Sequence, residues 1–279
     1  MNRTITSTLI AITLTLECSG MAGAAPYATL APIFAADARK DYATELKLLR
    51  PLVDKGDVDA QFALGFMYDN GTGVAQDYKE AARLYGLAAA QGDVSAQYNL
   101  GNMYANGQGV AQDYKEAVRL YRLAAAQGYA TAQFNLALMY DNGTGVAQDY
   151  KEAVRLYRLA AAQGNAGAQS NLGLMYVTGQ GVAQDYKEAA RLLGLAAAQG
   201  NASAQSNLGA MYAKGQGVPQ NYVKAHMWRN LAASQSTDDM NEIAVKARNA
   251  LATLMTPTQI AEAQAMARKC QASNFKKCD

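Results

Sequence analysis

The chain has 279 residues, of which 50% are hydrophobic and 17% are charged, and its formal net charge is +2 at pH 7. Lysine and arginine are interleaved with aspartate and glutamate, whereas a nucleic-acid-binding surface needs clustered basic residues. The sequence has one histidine and three cysteines, too few for the usual ligand pairs of a zinc site. We therefore expect no nucleic-acid partner, no metal and no cofactor.

Residues 1–24 have the features of a secretory signal peptide. Arg3 is followed by an uncharged run from Thr4 to Leu16, and Ala22-Gly23-Ala24 is a small-residue cleavage site. The run is too short for a membrane span. We predict cleavage near Ala24 and an exported protein, either periplasmic or secreted.

A repeat of 36 residues fills most of the remaining chain. Residues 106–128 and 142–164 are identical except for Gln108 in place of Thr144. The units are predicted at 56–91, 92–127, 128–163, 164–199 and 200–235, after an N-terminal segment at 25–55 that contains a half repeat. The final segment, 236–279, is predicted to form capping helices and a tail. Such a period is typical of helical solenoids, whose terminal units differ from the others.

Each unit is predicted to form two antiparallel helices. In the second unit Asp93 is the expected N-cap of the first helix, and Asn106-Gly107 ends it. Asp113 and Glu116 predict a capping box at the start of the second helix. No alternating pattern indicates a β-strand, so the expected fold is all-α.

The pattern L-G-x-M-Y…G-x-G-V-x-Q-D-Y-K-E-A…L-A-A-A-Q-G resembles the Sel-1-like repeat family, which is related to the tetratricopeptide repeats. The resemblance covers residues 41–235 and continues into the tail. It implies a right-handed α–α superhelix of helix pairs that serves as a docking surface for other proteins. It does not identify the partner or the oligomeric state.

By comparison with tetratricopeptide domains, the first helices should line a concave groove that holds an extended segment of a protein or peptide partner. In the second unit the outward stripe is Ser95, Tyr98, Asn102, Ala105 and Asn106. The predicted partner-binding groove comprises Phe62, Tyr98, Asn99, Asn102, Phe134, Asn135, Asn171 and Asn207. Exposed aromatic residues would anchor apolar side chains. Alternatively, these rings turn inward and pack between units.

Asparagine recurs at one position of the first helix in four successive units, as Asn99, Asn135, Asn171 and Asn207. One interpretation is that these amides fix helix packing through local hydrogen bonds. The other is that they grip the backbone of an extended ligand, since one amide both donates and accepts. The sequence leaves both open.

Signal-peptide removal would leave two cysteines, Cys270 and Cys278. An exported protein enters an oxidising compartment, so these two residues are predicted to form a disulfide bond.

An enzymatic alternative comes from cysteine-rich relatives assigned penicillin-binding or β-lactamase activity. Residues 273–276, Ser-Asn-Phe-Lys, match S-x-x-K, but the chain lacks the S-D-N and K-T-G partners. His226 has no evident acid partner and is interpreted as structural. The leading hypothesis is a non-enzymatic scaffold with no catalytic residues; a cell-wall or β-lactam hydrolase is the alternative.

Overall fold

The computed structural model describes residues 32–33, 35–235, 239–275 and 278, and the segments with assigned secondary structure in this part of the chain are helices. The predicted signal peptide lies outside the described residues. Among the described helices, none combines the length and apolar character needed to cross a bilayer.

The helices follow the repeat. Helix α1 (Tyr42–Asp54) corresponds to the half repeat. The five units are α2 (Val58–Asn70) with α3 (Tyr78–Ala90), α4 (Val94–Asn106) with α5 (Tyr114–Ala126), α6 (Ala130–Asn142) with α7 (Tyr150–Ala162), α8 (Ala166–Thr178) with α9 (Tyr186–Ala197), and α10 (Ala202–Lys214) with α11 (Tyr222–Gln235). The chain then continues into α12 (Asp239–Ala252) and α13 (Pro257–Ala272). From α1 to α12 each helix packs on its neighbours in the chain, and α13 packs on α11, which makes the fold an α–α solenoid.

The helix ends are set by side chains that bind free backbone N–H groups. Asp93 caps α4, as predicted, by accepting a hydrogen bond from the N–H of Ala96 at 2.6 Å. Of the two hydrogen bonds that make the capping box predicted for Asp113 and Glu116, only one is formed. The Asp113 carboxylate accepts the N–H of Glu116, but the Asp113 N–H donates to the backbone of α4, and the Glu116 carboxylate pairs instead with Arg119.

The two glycines of each G-x-G turn have different tasks. Gly107 ends α4 in the left-handed region at φ 68°, which side chains disfavour. Gly109, also at positive φ, lies against the backbone of the preceding unit, where an added Cβ would overlap the carbonyl group of Tyr78. The absence of a side chain at Gly109 therefore allows the turn after α4 to pack closely on the first residue of α3, the second helix of the preceding unit.

A ladder of glutamines connects the units, a feature that the sequence analysis did not predict. One glutamine of each first helix is buried, with 0–5% of its surface exposed, and its side-chain oxygen accepts a hydrogen bond from the glutamine 30 residues later at 2.8–2.9 Å. The pairs are Gln61 with Gln91, Gln97 with Gln127, Gln133 with Gln163, Gln169 with Gln199, and Gln205 with Gln235.

The side-chain nitrogen of the same buried glutamine donates a hydrogen bond to the preceding unit. Gln133 donates from Nε2 to the carbonyl oxygen of Ala125 in α5 at 3.2 Å, and the equivalent bond recurs from Gln97, Gln169 and Gln205. One side chain thus satisfies its own buried amide and ties two units together.

The last unit is covered by α12 and α13, which both pack on α11. Ala263 and Ala267 of α13 are fully or almost fully buried in a cluster with Trp228. Thr256 and Gln259 form a capping box at the start of α13, with bonds of 2.9 and 3.3 Å. A disulfide bond joins Cys270, in the last turn of α13, to Cys278 beyond the helix, with their Cα atoms 4.4 Å apart.

We expect Gln133→Leu to lower the free energy of unfolding by roughly 1–3 kcal/mol, because it removes two hydrogen bonds at a buried position, one to the Ala125 carbonyl and one from the Gln163 amide. Urea denaturation followed by circular dichroism measures the change. Gln264→Leu, at an exposed position of α13, is the matched control and should stay within about 0.5 kcal/mol of the unchanged protein. Equal effects of the two substitutions would contradict a structural role for the ladder.

Candidate partner-binding site

The three aromatic residues of the predicted groove each stack on a buried tyrosine of the second helix. Ring centroids are 5.7 Å apart for Phe62 and Tyr85, 6.0 Å for Tyr98 and Tyr121, and 6.1 Å for Phe134 and Tyr157. The outer rings are half-buried. One part of each ring therefore contributes to packing while the rest reaches the surface, a mixture of the two interpretations of the sequence.

This aromatic pattern ends at the fourth unit. Ser170, at the position of Phe134, is 2% exposed and does not line an open surface. The Phe134 ring lies over Gly167 of the next unit, where an added Cβ would stand 2.9 Å from the ring. At this repeat position, aromatic residues therefore occur only in α2, α4 and α6.

Beneath these rings, the hydroxyl groups of the buried tyrosines are held by polar side chains of the first helices. Tyr157 donates to Asp141 at 3.3 Å, and Tyr85 donates to Asp69 at the same distance. In the second unit the equivalent aspartate is replaced by alanine.

Tyr121 of that unit turns to Asn102 instead, donating its hydroxyl proton to Oδ1 at 2.6 Å. Two of the three acceptors are carboxylates, which adds acidic groups to the aromatic part of the surface.

Burial makes these tyrosines poor acids. It raises the pKa of Tyr121 to about 12 and raises the pKa of Tyr85 and Tyr157 further. Burial also raises the pKa of Asp69, although the hydrogen bond from Tyr85 partly opposes this shift. Near neutral pH the tyrosines are consequently neutral donors and acceptors, suited to fixing neighbouring side chains rather than to attacking a substrate.

Three of the four asparagines reach across the interface between units. Asn171 donates to the hydroxyl oxygen of Tyr157 at 3.0 Å, and Asn135 donates to Oδ1 of Asn102 at 3.4 Å. Asn99 and Asn135 also lie close enough to Tyr85 and Tyr121 of the preceding units to oppose the rise in their pKa that burial causes. Asn207 differs because Leu193 occupies the tyrosine position, and its amide donates within its own helix to the carbonyl of Ser203 at 2.9 Å.

These tyrosine hydroxyls were not identified from the sequence as partners of the asparagine row. The available signal was spacing, since a tyrosine stands 14 residues before the asparagine in three units and is missing before Asn207.

The open part of this surface is a shallow pocket of about 220 Å³ between α4 and α6. Its lining includes Asn135 of the predicted groove and Ala105 of the predicted outward stripe, together with Leu138 and Asn142, which were not selected from the sequence. The first-helix face is the surface formed by this pocket, the half-buried rings of Phe62, Tyr98 and Phe134, and the side chains of Asp69, Asn106 and Asp141 on the same three helices.

The residues considered for catalysis lie elsewhere. Ser273 donates its hydroxyl to the carbonyl of Cys270 at 2.7 Å, and Lys276 lies outside the described residues. His226 is 3% exposed under the terminal cap, where burial and then the charge of Arg248 lower its pKa. Among the described residues, no group of three or more histidine, cysteine or acidic side chains is placed to hold a metal.

We expect Asn171→Ala to lower the free energy of unfolding by about 1 kcal/mol relative to Asn207→Ala, because only Asn171 binds a buried tyrosine hydroxyl. Both changes replace asparagine with alanine in a helix, so the comparison cancels the gain in helix propensity. Urea denaturation of the two variants measures the difference. Equal stabilities would mean that the bond to Tyr157 contributes nothing.

Comparisons with known proteins agree with this architecture. The family profile described as Sel1 repeat matches residues 58–93, 94–129, 130–165, 166–201 and 202–236. A comparison with curated protein sequences gives no match. The crystal structure of a Sel1 repeat protein from Oxalobacter formigenes is 30% identical, with 85% of this chain and 98% of that chain covered and a TM-score of 0.73.

A protective antigen of uropathogenic Escherichia coli strains, described as displaying an SLR fold, is 31% identical with a TM-score of 0.59. The alignment covers 86% of this chain and 57% of the antigen. Five matched repeats, a shared period and the same stack of helix pairs together show that the chain belongs to the Sel1 repeat family.

Proposed function

We propose that the protein is a non-enzymatic scaffold that holds an extended segment of a partner protein along the first-helix face. Sel1 repeats are generally protein-interaction scaffolds, which supports the general class. The observation that carries the proposal is the combination of half-buried rings with an open pocket lined by Asn135 and Asn142. Such a surface offers both apolar contact and amide hydrogen bonds to a peptide backbone.

The charges of the first-helix face favour a particular kind of segment. Asp69 and Asp141 each accept a tyrosine hydroxyl through one carboxylate oxygen, Oδ2. A carboxylate has further acceptor capacity, so a basic side chain of the partner fits beside them. We therefore propose a partner segment with apolar side chains for the rings and at least one lysine or arginine.

The proposed location is outside the cytoplasm. The disulfide between Cys270 and Cys278 is consistent with an oxidising compartment. Together with the signal peptide predicted at 1–24, it supports export to the periplasm or the medium. No specific observation favours the hydrolase alternative, since Ser273 is bonded to backbone at the end of α13.

Site-specific photo-crosslinking tests the proposal. We expect a photoreactive residue at Asn106 or Asn142, which are exposed equivalent positions on the first-helix face, to crosslink the same partner in intact cells. The matched controls are Lys115 and Lys151, exposed at the start of the second helices, where no crosslink should form. Mass spectrometry then identifies the crosslinked segment, which should be extended and contain a basic residue.

Crosslinking that is equally strong at the control lysines would contradict the choice of surface. Hydrolysis of a β-lactam by the purified protein, lost on Ser273→Ala, would instead overturn the non-enzymatic class.

A further inference from the structure

The second helices carry a row of exposed leucines that the first-helix face does not use. Leu87, Leu123, Leu159 and Leu195 stand 36 residues apart and are 40–44% exposed. The next member of the row, Leu231, is 1% exposed because it lies in the cluster formed with α13. In the last unit, the C-terminal segment therefore covers the surface of the second helix that is exposed in the earlier units.

Equivalent grooves occupy three of the intervals between consecutive second helices. The first open groove, between α5 and α7, has a volume of about 580 Å³; the second open groove, between α7 and α9, has about 440 Å³. The terminal groove, between α9 and α11, has about 430 Å³. Residues at the same repeat positions line all three, namely Leu136, Leu172 and Leu208, and Tyr140, Tyr176 and Tyr212.

The terminal groove contains an aromatic side chain from the tail. The Phe275 ring packs on Gly200, with ring carbons 3.1 and 3.3 Å from the place where a Cβ would stand, and it lines the groove together with Cys278. The equivalent glycines, Gly128 and Gly164, line the open grooves, and no non-neighbouring heavy atom lies within 4 Å of the same point. The glycine surface that contacts Phe275 in the terminal groove thus recurs, uncovered, in both open grooves.

The open grooves differ from the terminal groove at one position of the second helices. Arg122 and Arg158 line them, whereas the same position in the terminal groove is Gly194. Each arginine donates to a tyrosine hydroxyl, at 2.6 Å for Arg122 and 2.9 Å for Arg158.

The remaining charges of these grooves are balanced. The first open groove contains Glu152 paired with Arg155, and the second contains Glu188 paired with Arg191. The hydrogen bond from Arg191 lowers the pKa of Glu188, and the charge of Arg158 adds a smaller contribution in the same direction. Each open groove therefore has a net charge of +1 among its lining residues, which favours a ligand with a carboxylate.

We infer that the two open grooves bind a partner peptide that places a phenyl ring on Gly128 or Gly164 and a neighbouring carboxylate beside Arg122 or Arg158. The Phe275 ring on Gly200 supplies the geometry, and Arg122 and Arg158 supply the charge preference. This surface lies on the second helices, so it does not depend on the function proposed for the first-helix face.

The test uses the uniformly ¹⁵N-labelled protein and the peptide acetyl-Ser-Asn-Phe-Glu-amide, which carries the turn sequence of residues 273–275 followed by glutamate. We expect amide shifts at Gly128 and Gly164 with millimolar affinity and none at Gly200, which Phe275 already covers. Phe275→Ala should add Gly200 as a third responding site. Arg122→Gln should weaken the response at Gly128 at least threefold and leave that at Gly164 unchanged.

Two control peptides make the outcome decisive. Replacing phenylalanine with alanine should abolish the shifts, and replacing glutamate with lysine should weaken them at least threefold. The inference is overturned if Gly128 and Gly164 do not respond, if the alanine peptide acts equally well, or if Gly200 stays silent in Phe275→Ala. Shifts that grow with protein concentration alone and vanish in Phe275→Ala would assign the grooves to the tail of a second copy, which also overturns it.

Discussion

The structure depends on one constraint, which is that a helix pair of this sequence buries its faces only against the next pair. Tyr157 illustrates it, because its ring is fully buried while its hydroxyl is satisfied by Asp141 of its own unit and Asn171 of the next. The buried Gln133 has one bond within its unit and one to the unit before. Leaving either group buried without its partners costs free energy, so neighbouring units stabilise one another.

The same constraint arranges the surfaces. Because each unit repeats its neighbour after 36 residues, any side chain that is not needed for stacking becomes one member of a row. The first helices present rings and amides in this way, and the second helices present leucines, arginines and grooves. Sequence differences between units leave the stacking of the helices unchanged and alter only local contacts and charges. Leucine in place of tyrosine at position 193 releases Asn207 from the interface, and glycine in place of arginine at position 194 changes the charge of the terminal groove.

The terminal cap follows from the same logic. A helix pair at the end of a stack has a face with no following unit, and here α12 and α13 cover it. The disulfide between Cys270 and Cys278 closes the tail that carries Phe275. The tail is therefore part of the cap. Its Phe275 ring also shows how an aromatic side chain packs between two second helices.

Much of the fold could be predicted from sequence because stacking requires the same residues in every unit. The period, the two helices per unit, the N-cap at Asp93 and the capping box at Thr256 are all local or periodic signals. The half-formed capping box at Asp113 could not be predicted, because its N–H is taken by a carbonyl of the preceding helix.

The candidate site was less predictable than the fold because it depends on contacts between helices. The sequence shows a row of asparagines, but only the structure reveals that three of them meet tyrosine hydroxyls from the neighbouring unit. The glutamine ladder was missed for a similar reason: its partners are 30 residues apart, and the helix pattern alone indicates only that Gln133 falls on the inner side.

The central claim, that stability and shape come from contacts between nearest neighbours, can be tested by removing one complete period. Deleting residues 114–149 joins Asp113 to Tyr150 and preserves the local sequence, because both D-Y-K-E-A-V-R-L-Y-R-L-A-A-A-Q-G segments are identical. Urea denaturation with circular dichroism should show a helical protein that unfolds cooperatively with a lower free energy of unfolding, since one unit and one interface are gone. A shortened chain that fails to fold, or one whose stability equals that of the full chain, would contradict the claim.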